Sequence, residues 1–263
     1  MTRYASLYGA FFINRLKIFL EYRVSFLIGA PSTFVVQGAS LLTLWVVIGK
    51  VPNLVGWSFN EILLLYGLVT LSRSIEHMFA DNLWTVGRHH IRDGSFDRFL
   101  LRPIDPLFHL LADRFNHDGI GNFLIGLGLI VSSSLALGLE WSVLKVICVI
   151  CAVIGGGVIF IALNLLTCVS AFWIIDSAPV TLAVHETHEF AKYPLSMYGG
   201  VVKGLLTWVI PYGLASYYPA LYLLGRDTSS LLAFAAPVVG GLLMGTAYRA
   251  WLFGLRHYAG TGS

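Results

Sequence analysis

Three groupings of ionisable residues have types and spacing suited to chemistry. Arg73, Glu76 and His77 lie inside an otherwise apolar run. A spacing of three puts Arg73 and Glu76 on one helical face, where they can pair. An ionisable side chain at the centre of a membrane span costs about 2.5–3.5 kcal/mol on insertion scales, less if it reaches the interface, so the pair either ties a bundle together or lines a polar path. The second grouping is His185-Glu186-Thr187-His188-Glu189. Zinc proteases place two histidines four apart around a glutamate, whereas here they are three apart with no evident third ligand, so the run reads as the exposed start of a polar helix. His117-Asp118 lacks partners in the same way. Cys148 and Cys151 have redox-motif spacing, but inside an apolar run they read as packing thiols, as does Cys168.

The third grouping is the charged stretch from Gly87 to Pro106. Arg88, Arg92, Arg98 and Arg102 stand there against Asp93, Asp97 and Asp105, with Gly94 and Pro103 bracketing a short amphipathic helix from Ser95 to Arg102. Phe96, Phe99 and Leu100 lie three and four apart and share its apolar face, while Asp97, Arg98 and Arg102 decorate the rest. Such a helix suits docking to another protein, with the apolar residues entering a partner's groove; the alternative is a solvated loop that keeps the chain oriented.

The elements that hold these groups are set by composition. Of 263 residues, 57% are hydrophobic and 12% charged, with a mean hydropathy of +0.76. A soluble domain carries about 25% charge, so this is an all-α polytopic membrane protein forming a single domain, 1–263. No basic run interleaved with aromatics points to nucleic acid, and no Gly-x-x-x-x-Gly-Lys-Ser/Thr loop is present to cradle ATP.

Residues 1–24 mix Arg3, Arg15, Lys17 and Arg23 with aromatics, as an interfacial helix would, and lack the pattern of a signal peptide. Spans are expected from about Ser25 to Gly49 and from Phe59 to Ala80, the second with Asn60 as its cap. Asp105-Pro106 starts a helix that becomes fully apolar over 120–139. Residues 142–175 form one long span in which Gly155-Gly156-Gly157 marks a bend or close-packing site. Asp176 to Tyr193 is a polar loop, Pro194 opens a span to Ile210, and 211–224, with prolines at 211 and 219, is a short outer re-entrant segment rich in tyrosine. A last span covers 230–253. Gly200-x-x-x-Gly204 and Gly241-x-x-x-Gly245 favour packing within the bundle, the alternative being a dimer interface.

That makes six spans. With the amino terminus inside, inner segments hold thirteen Lys and Arg, counting Lys192 and Lys203, against three outside, so both termini and the charged stretch are expected to be cytoplasmic.

The run Ile91-Arg92-Asp93-Gly94-Ser95-Phe96-Asp97-Arg98-Phe99-Leu100-Leu101-Arg102-Pro103 resembles the segment after the second span in permease subunits of type-2 ABC exporters. Phe190 to Pro194, Val209 to Gly213, Tyr218 to Ala220 and Gly254 to Tyr258 are similar to the same branch, so the resemblance covers nearly the whole chain. It implies a bacterial plasma (inner) membrane protein with six spans. It further implies that 87–106 carries a cytoplasmic coupling helix gripping a separate ABC ATPase. On that helix the contacts would fall to Arg92, Asp93, Gly94, Phe96, Asp97, Arg98, Phe99, Leu100, Arg102 and Pro103. Two ATPase copies, holding the ATP and magnesium that this chain does not bind, would work below a pair of permeases, identical or related. Arg73, Glu76, Tyr212, Tyr217 and Tyr218 are the candidate substrate path, in contact with lipid-soluble, cationic, peptide or lipid cargo. A membrane-embedded lipid-modifying enzyme and an ion-coupled secondary carrier are the competing classes; the former has only His185, Glu186 and His188 to offer.

Overall fold

The computed structural model describes residues 34–46, 56–113, 116, 118–174, 177–226 and 231–258, with positions 7, 9, 11 and 13. The expected interfacial helix at 1–24 and both ends of the first span lie almost wholly outside them. The described residues are helical, with no β-strand among them. Among the described residues, four helices are long and apolar enough to cross a membrane. These are α2 (Phe59–Phe79), α5 (Asp118–Ala136), α6 (Val143–Cys168, extended as a 3-10 turn to Phe172) and α10 (Ala236–His257). α1 (Phe34–Val46) is the described part of the first expected span, and the stretch Gly200–Val209 is shorter than the span expected there.

Local sequence fixes the helix starts. α2 begins at a capping box: the Ser58 side chain accepts from the Glu61 N–H and Glu61 bonds back to the Ser58 N–H. The cap is therefore Ser58 rather than Asn60. Ser142 caps α6, and Asp105 accepts from the Phe108 N–H to start α4 (Pro106–Asp113).

α2 is the central rod, packed against α5 on one side and α6 on the other, while α10 runs along α6. The triple glycine of α6 makes this possible. A β-carbon on Gly155 would sit 2.3 Å from Pro237 N of α10, one on Gly156 would sit 2.7 Å from Ala215, and one on Gly157 would sit 2.8 Å from Ile75 of α2. Three successive residues thus admit three neighbours, which is the close-packing role expected of them. Gly200, Gly204, Gly241 and Gly245, expected to pack within the bundle, meet nothing within 4 Å.

The largest departure lies between Ser177 and Arg226. The segment expected to be a polar loop instead climbs along α2, antiparallel to it. α7 (Ala178–Glu186) starts beyond the end of α2, and its His185 ring lies 6.3 Å from His77. A 3-10 stretch, Thr187–Lys192, then carries Lys192 to within 4.8 Å of the Tyr66 ring, and Ser196 accepts from the Trp57 indole at 3.1 Å, at the start of α2. The following residues, expected to be a span, turn back down as α8 (Gly200–Gly204) and a π-turn, Leu205–Val209. Tyr212 lies at the bottom, stacked on Phe160 at 4.5 Å. α9 (Tyr217–Leu223) climbs again, and Arg226 meets Glu61 at 2.6 Å. Residues 197–226 thus form a hairpin that begins well before the segment expected at 211–224, and the polar segment before it runs the length of α2.

Candidate functional site

The polar groups singled out in the sequence converge on the lower half of α2. Arg73 projects toward the climbing segment, where its guanidinium donates to Nε2 of His188, of His185 at 2.6 Å and of His77 at 3.0 Å. His188 also donates through Nδ1–H to the His185 carbonyl at 2.7 Å, which fixes its ring against the guanidinium. The expected Arg73–Glu76 pair is not formed. Glu76, 1% exposed, faces α6 instead and accepts from the Asn164 carboxamide at 2.8 Å. Beside His77, one helical turn on, tertiary contact offered Arg73 two further acceptors, His185 and His188, which helical spacing alone could not reveal. Asn164 is likewise absent from any sequence motif; its signal is only a lone polar residue in the apolar run of α6.

The network continues upward. His77 Nδ1 lies 3.3 Å from the Asn122 carboxamide of α5, Gln37 of α1 donates to Asn122 at 2.9 Å, and Tyr66 donates to Gln37. His188 and Lys192 both contact Glu189 Oε1, at 2.8 and 2.6 Å. A recess of about 140 Å³ opens beside these groups, lined by Ser40, Thr43, Tyr66, Glu189, Lys192 and Tyr193. Tyr212, Tyr217 and Tyr218 are buried in the core. His185 and His188, read as an exposed helix start, are instead interior: the His185 ring stands edge-on to Trp84 at 4.3 Å and His188 is 4% exposed.

At the other end of the bundle lies the charged stretch. Its helix is shorter than expected, α3 (Asp97–Leu100), entered through Gly94 at a φ of +67°, which a residue with a side chain rarely adopts. Phe96 and Phe99 are fully buried. Phe96 meets Trp251 at 5.9 Å, Phe172 at 5.7 Å and Tyr258 at 5.1 Å; Phe99 packs on His90 and His109. The expectation that both rings enter a partner's groove therefore fails, because the chain's own second hydrophobic cluster takes them. Tyr258 donates to Asp97 at 2.9 Å and Tyr248 to Asp105 at 3.0 Å, tying the segment to α10. Burial and the neighbouring Asp97 carboxylate push the Tyr258 phenol up to about 12, so it stays a donor. Arg92, Asp93, Asp97, Arg98, Leu100, Leu101, Arg102 and Pro103 remain on the outside, with Leu101 84% exposed.

Comparison with known proteins adds the identity of this arrangement. The profile of a family described as ABC-2 family transporter protein matches residues 34–262, most of the chain. No curated protein and no solved structure matches it. The chain belongs to the ABC-2 transporter family, as a multi-pass membrane permease.

Proposed function

We propose that this permease is the membrane subunit of an ATP-driven exporter, supplying half of a transmembrane path. A separate ABC ATPase, two copies beneath two permeases, binds and hydrolyses ATP with magnesium. The observation that carries this reading is the two-sided build of residues 87–106. The inner side, Phe96 and Phe99, is clasped by Phe172 at the end of the α6 extension and by Trp251 and Tyr258 at the end of α10. The outer side presents Leu100 and Leu101 among Arg98, Arg102 and Asp97. A partner gripping the outer side would move the inner side with it, and two long helices would follow. That is the mechanical requirement of a coupling segment.

In this reading the membrane is crossed six times, the fifth crossing being the polar segment Ser177 to Ser196. Lys192 and Lys203 then move to the outer half, leaving eleven cations inside against five outside. The bias still puts both termini and α3 in the cytoplasm. The cargo's first polar contacts fall in the recess between Tyr66, Glu189 and Lys192 rather than on Tyr212, Tyr217 and Tyr218.

The test separates docking from folding. In a Leu100→Asp, Leu101→Asp double variant, permease yield stays normal while ATPase recovery in mild-detergent pull-down falls at least thirtyfold, since a central apolar anchor contributes about 2 kcal/mol or more. Phe96→Ala instead destabilises the permease itself by about 3–5 kcal/mol, the cost of emptying a buried aromatic site. Full recovery of the ATPase by the double variant would remove the docking reading.

A further inference from the structure

At the centre of the bundle two buried oxygens have no hydrogen-bond partner among the described residues: Glu76 Oε2 and Asn164 Oδ1. Their side chains are 1% and 6% exposed, and one bond already joins them, Asn164 Nδ2–H to Glu76 Oε1 at 2.8 Å. A carboxyl and a carboxamide are both planar groups with two polar ends. Once one N–H···O bond is made between them, the two remaining oxygens are the natural second pair. As bare acceptors they cannot bond; a hydrogen on Glu76 Oε2 turns them into donor and acceptor and closes a two-bond ring. One proton accounts for both orphan atoms.

We propose that Glu76 is a proton-binding site, held as the neutral carboxylic acid and donating from Oε2 to Asn164 Oδ1, so that a single proton locks α2 to α6. The groups around the carboxyl support this. On α2, Arg73 directs its terminal N–H groups to three histidines and makes no ion pair with Glu76 within 4 Å. His77 Nε2 lies 3.6 Å from Oε2, beyond hydrogen-bond distance. From the climbing segment, His185 and His188 face Arg73 with the same nitrogen. The Trp84 indole N–H is near enough to the carboxyl to act on it as a donor, though Oε2 makes no hydrogen bond of regular geometry. Tyr212 of the hairpin lines the adjoining cavity, and α6 adds Asn164 and Thr167, neither titratable. An ionised Glu76 would therefore keep one buried oxygen bare, the arrangement proteins avoid most consistently.

The reaction is a bare protonation: the carboxylate takes one proton and the O–H···O bond forms. On its release, the carboxylate is free to turn toward Arg73, one helical turn away, and the second tie to α6 is lost. A bound water in the adjoining cavity, about 10 Å³ to the centre of a water molecule, is the other way to satisfy both oxygens, and it would leave Glu76 ionised. The proposal does not depend on how transport is powered.

Infrared spectroscopy of the full chain in lipid nanodiscs at neutral pH distinguishes the two. The difference spectrum between wild type and Glu76→Gln is expected to contain the carbonyl band of a neutral, hydrogen-bonded carboxylic acid. In Asn164→Ala that band should move toward a weakly bonded acid. Glu76→Gln, whose amide can donate to Asn164 and accept from it, is expected to unfold at the wild-type temperature, whereas Glu76→Ala unfolds earlier. A difference spectrum holding only carboxylate bands would overturn the proposal and favour the water. Should Glu76→Gln fail to accumulate, the Asn164→Ala comparison decides alone: no acid band that responds to it, no proton site.

Discussion

Arg73 is the residue whose environment departs furthest from its sequence neighbourhood. A guanidinium offers five donors in a rigid fork, and here three bonds end on imidazole nitrogens from two different elements. Hydrogen bonds to a charged group contribute about 1.5–3 kcal/mol each before desolvation is counted, so the net effect of losing all three is smaller than their sum. Arg73→Gln is expected to lower unfolding free energy in detergent by about 2–4 kcal/mol. Arg73→Lys should recover little of it, because one ammonium cannot span three acceptors. Glu76→Gln, in contrast, should sit near wild type. Equal stability of Arg73→Gln and wild type in a denaturant titration would show that the histidine cluster holds nothing together.

At the scale of elements, the climbing segment is the instructive case. Pro179 in the first turn starts α7, a 3-10 stretch follows, and Tyr193-Pro194 are extended, so the helix is broken twice. His185, His188 and Lys192 face α2, which, in the six-crossing reading proposed above, is where an ionisable side chain inside a membrane can be satisfied. Hydropathy cannot see that, because it averages over faces. The consequence is testable by labelling. With the native cysteines replaced, single cysteines at Gly199 and Gly225 should react with a membrane-impermeant thiol reagent from the same side of the membrane. One at Leu101 should react only from the opposite side. Reaction of Gly199 and Leu101 from one side would return residues 177–196 to being a loop.

On the scale of the whole molecule, two hydrophobic clusters are stacked along the bundle with the Arg73–Glu76 layer at their boundary. One gathers around α2, α6 and the hairpin; the other joins α3 and α4 to the ends of α6 and α10. The second contains two interior histidines outside the spans. His109, 3% exposed, is held below the usual histidine range by burial and then by Arg102; His90 is lowered by burial and then by Arg98. A histidine whose folded pKa lies below its unfolded value of about 6.5 binds fewer protons when folded. Stability from this source is therefore complete above about pH 6.5 and lost progressively as the pH falls below it. Hydrogen exchange in α3 and α4 should accelerate between about pH 7 and pH 5, corrected for intrinsic rate, while α2 and α6 around the glycine triplet change less. His109→Gln should flatten that dependence. Acceleration spread evenly over both clusters would refute the assignment.

Composition, cation bias and the resemblance of scattered motifs were enough to establish a helical, multi-pass permease of this family, because the bilayer leaves a chain this apolar few other solutions. They also singled out the charged stretch and the lower half of α2. What they could not supply was the partner of each side chain. Phe96 and Phe99 share a helical face whether that face meets a foreign groove or Trp251, 152 residues after Phe99. Arg73 and Glu76 are one turn apart whether or not they bond. The polar segment after Ser177 has the same hydropathy as a loop or as a crossing. In each case the sequence fixes spacing along one element, a local property, while the choice of partner depends on which elements the glycines of α6 allow to approach. That choice is made only when the helices pack, since burial is where an unpaired polar group or an unfilled aromatic site becomes costly.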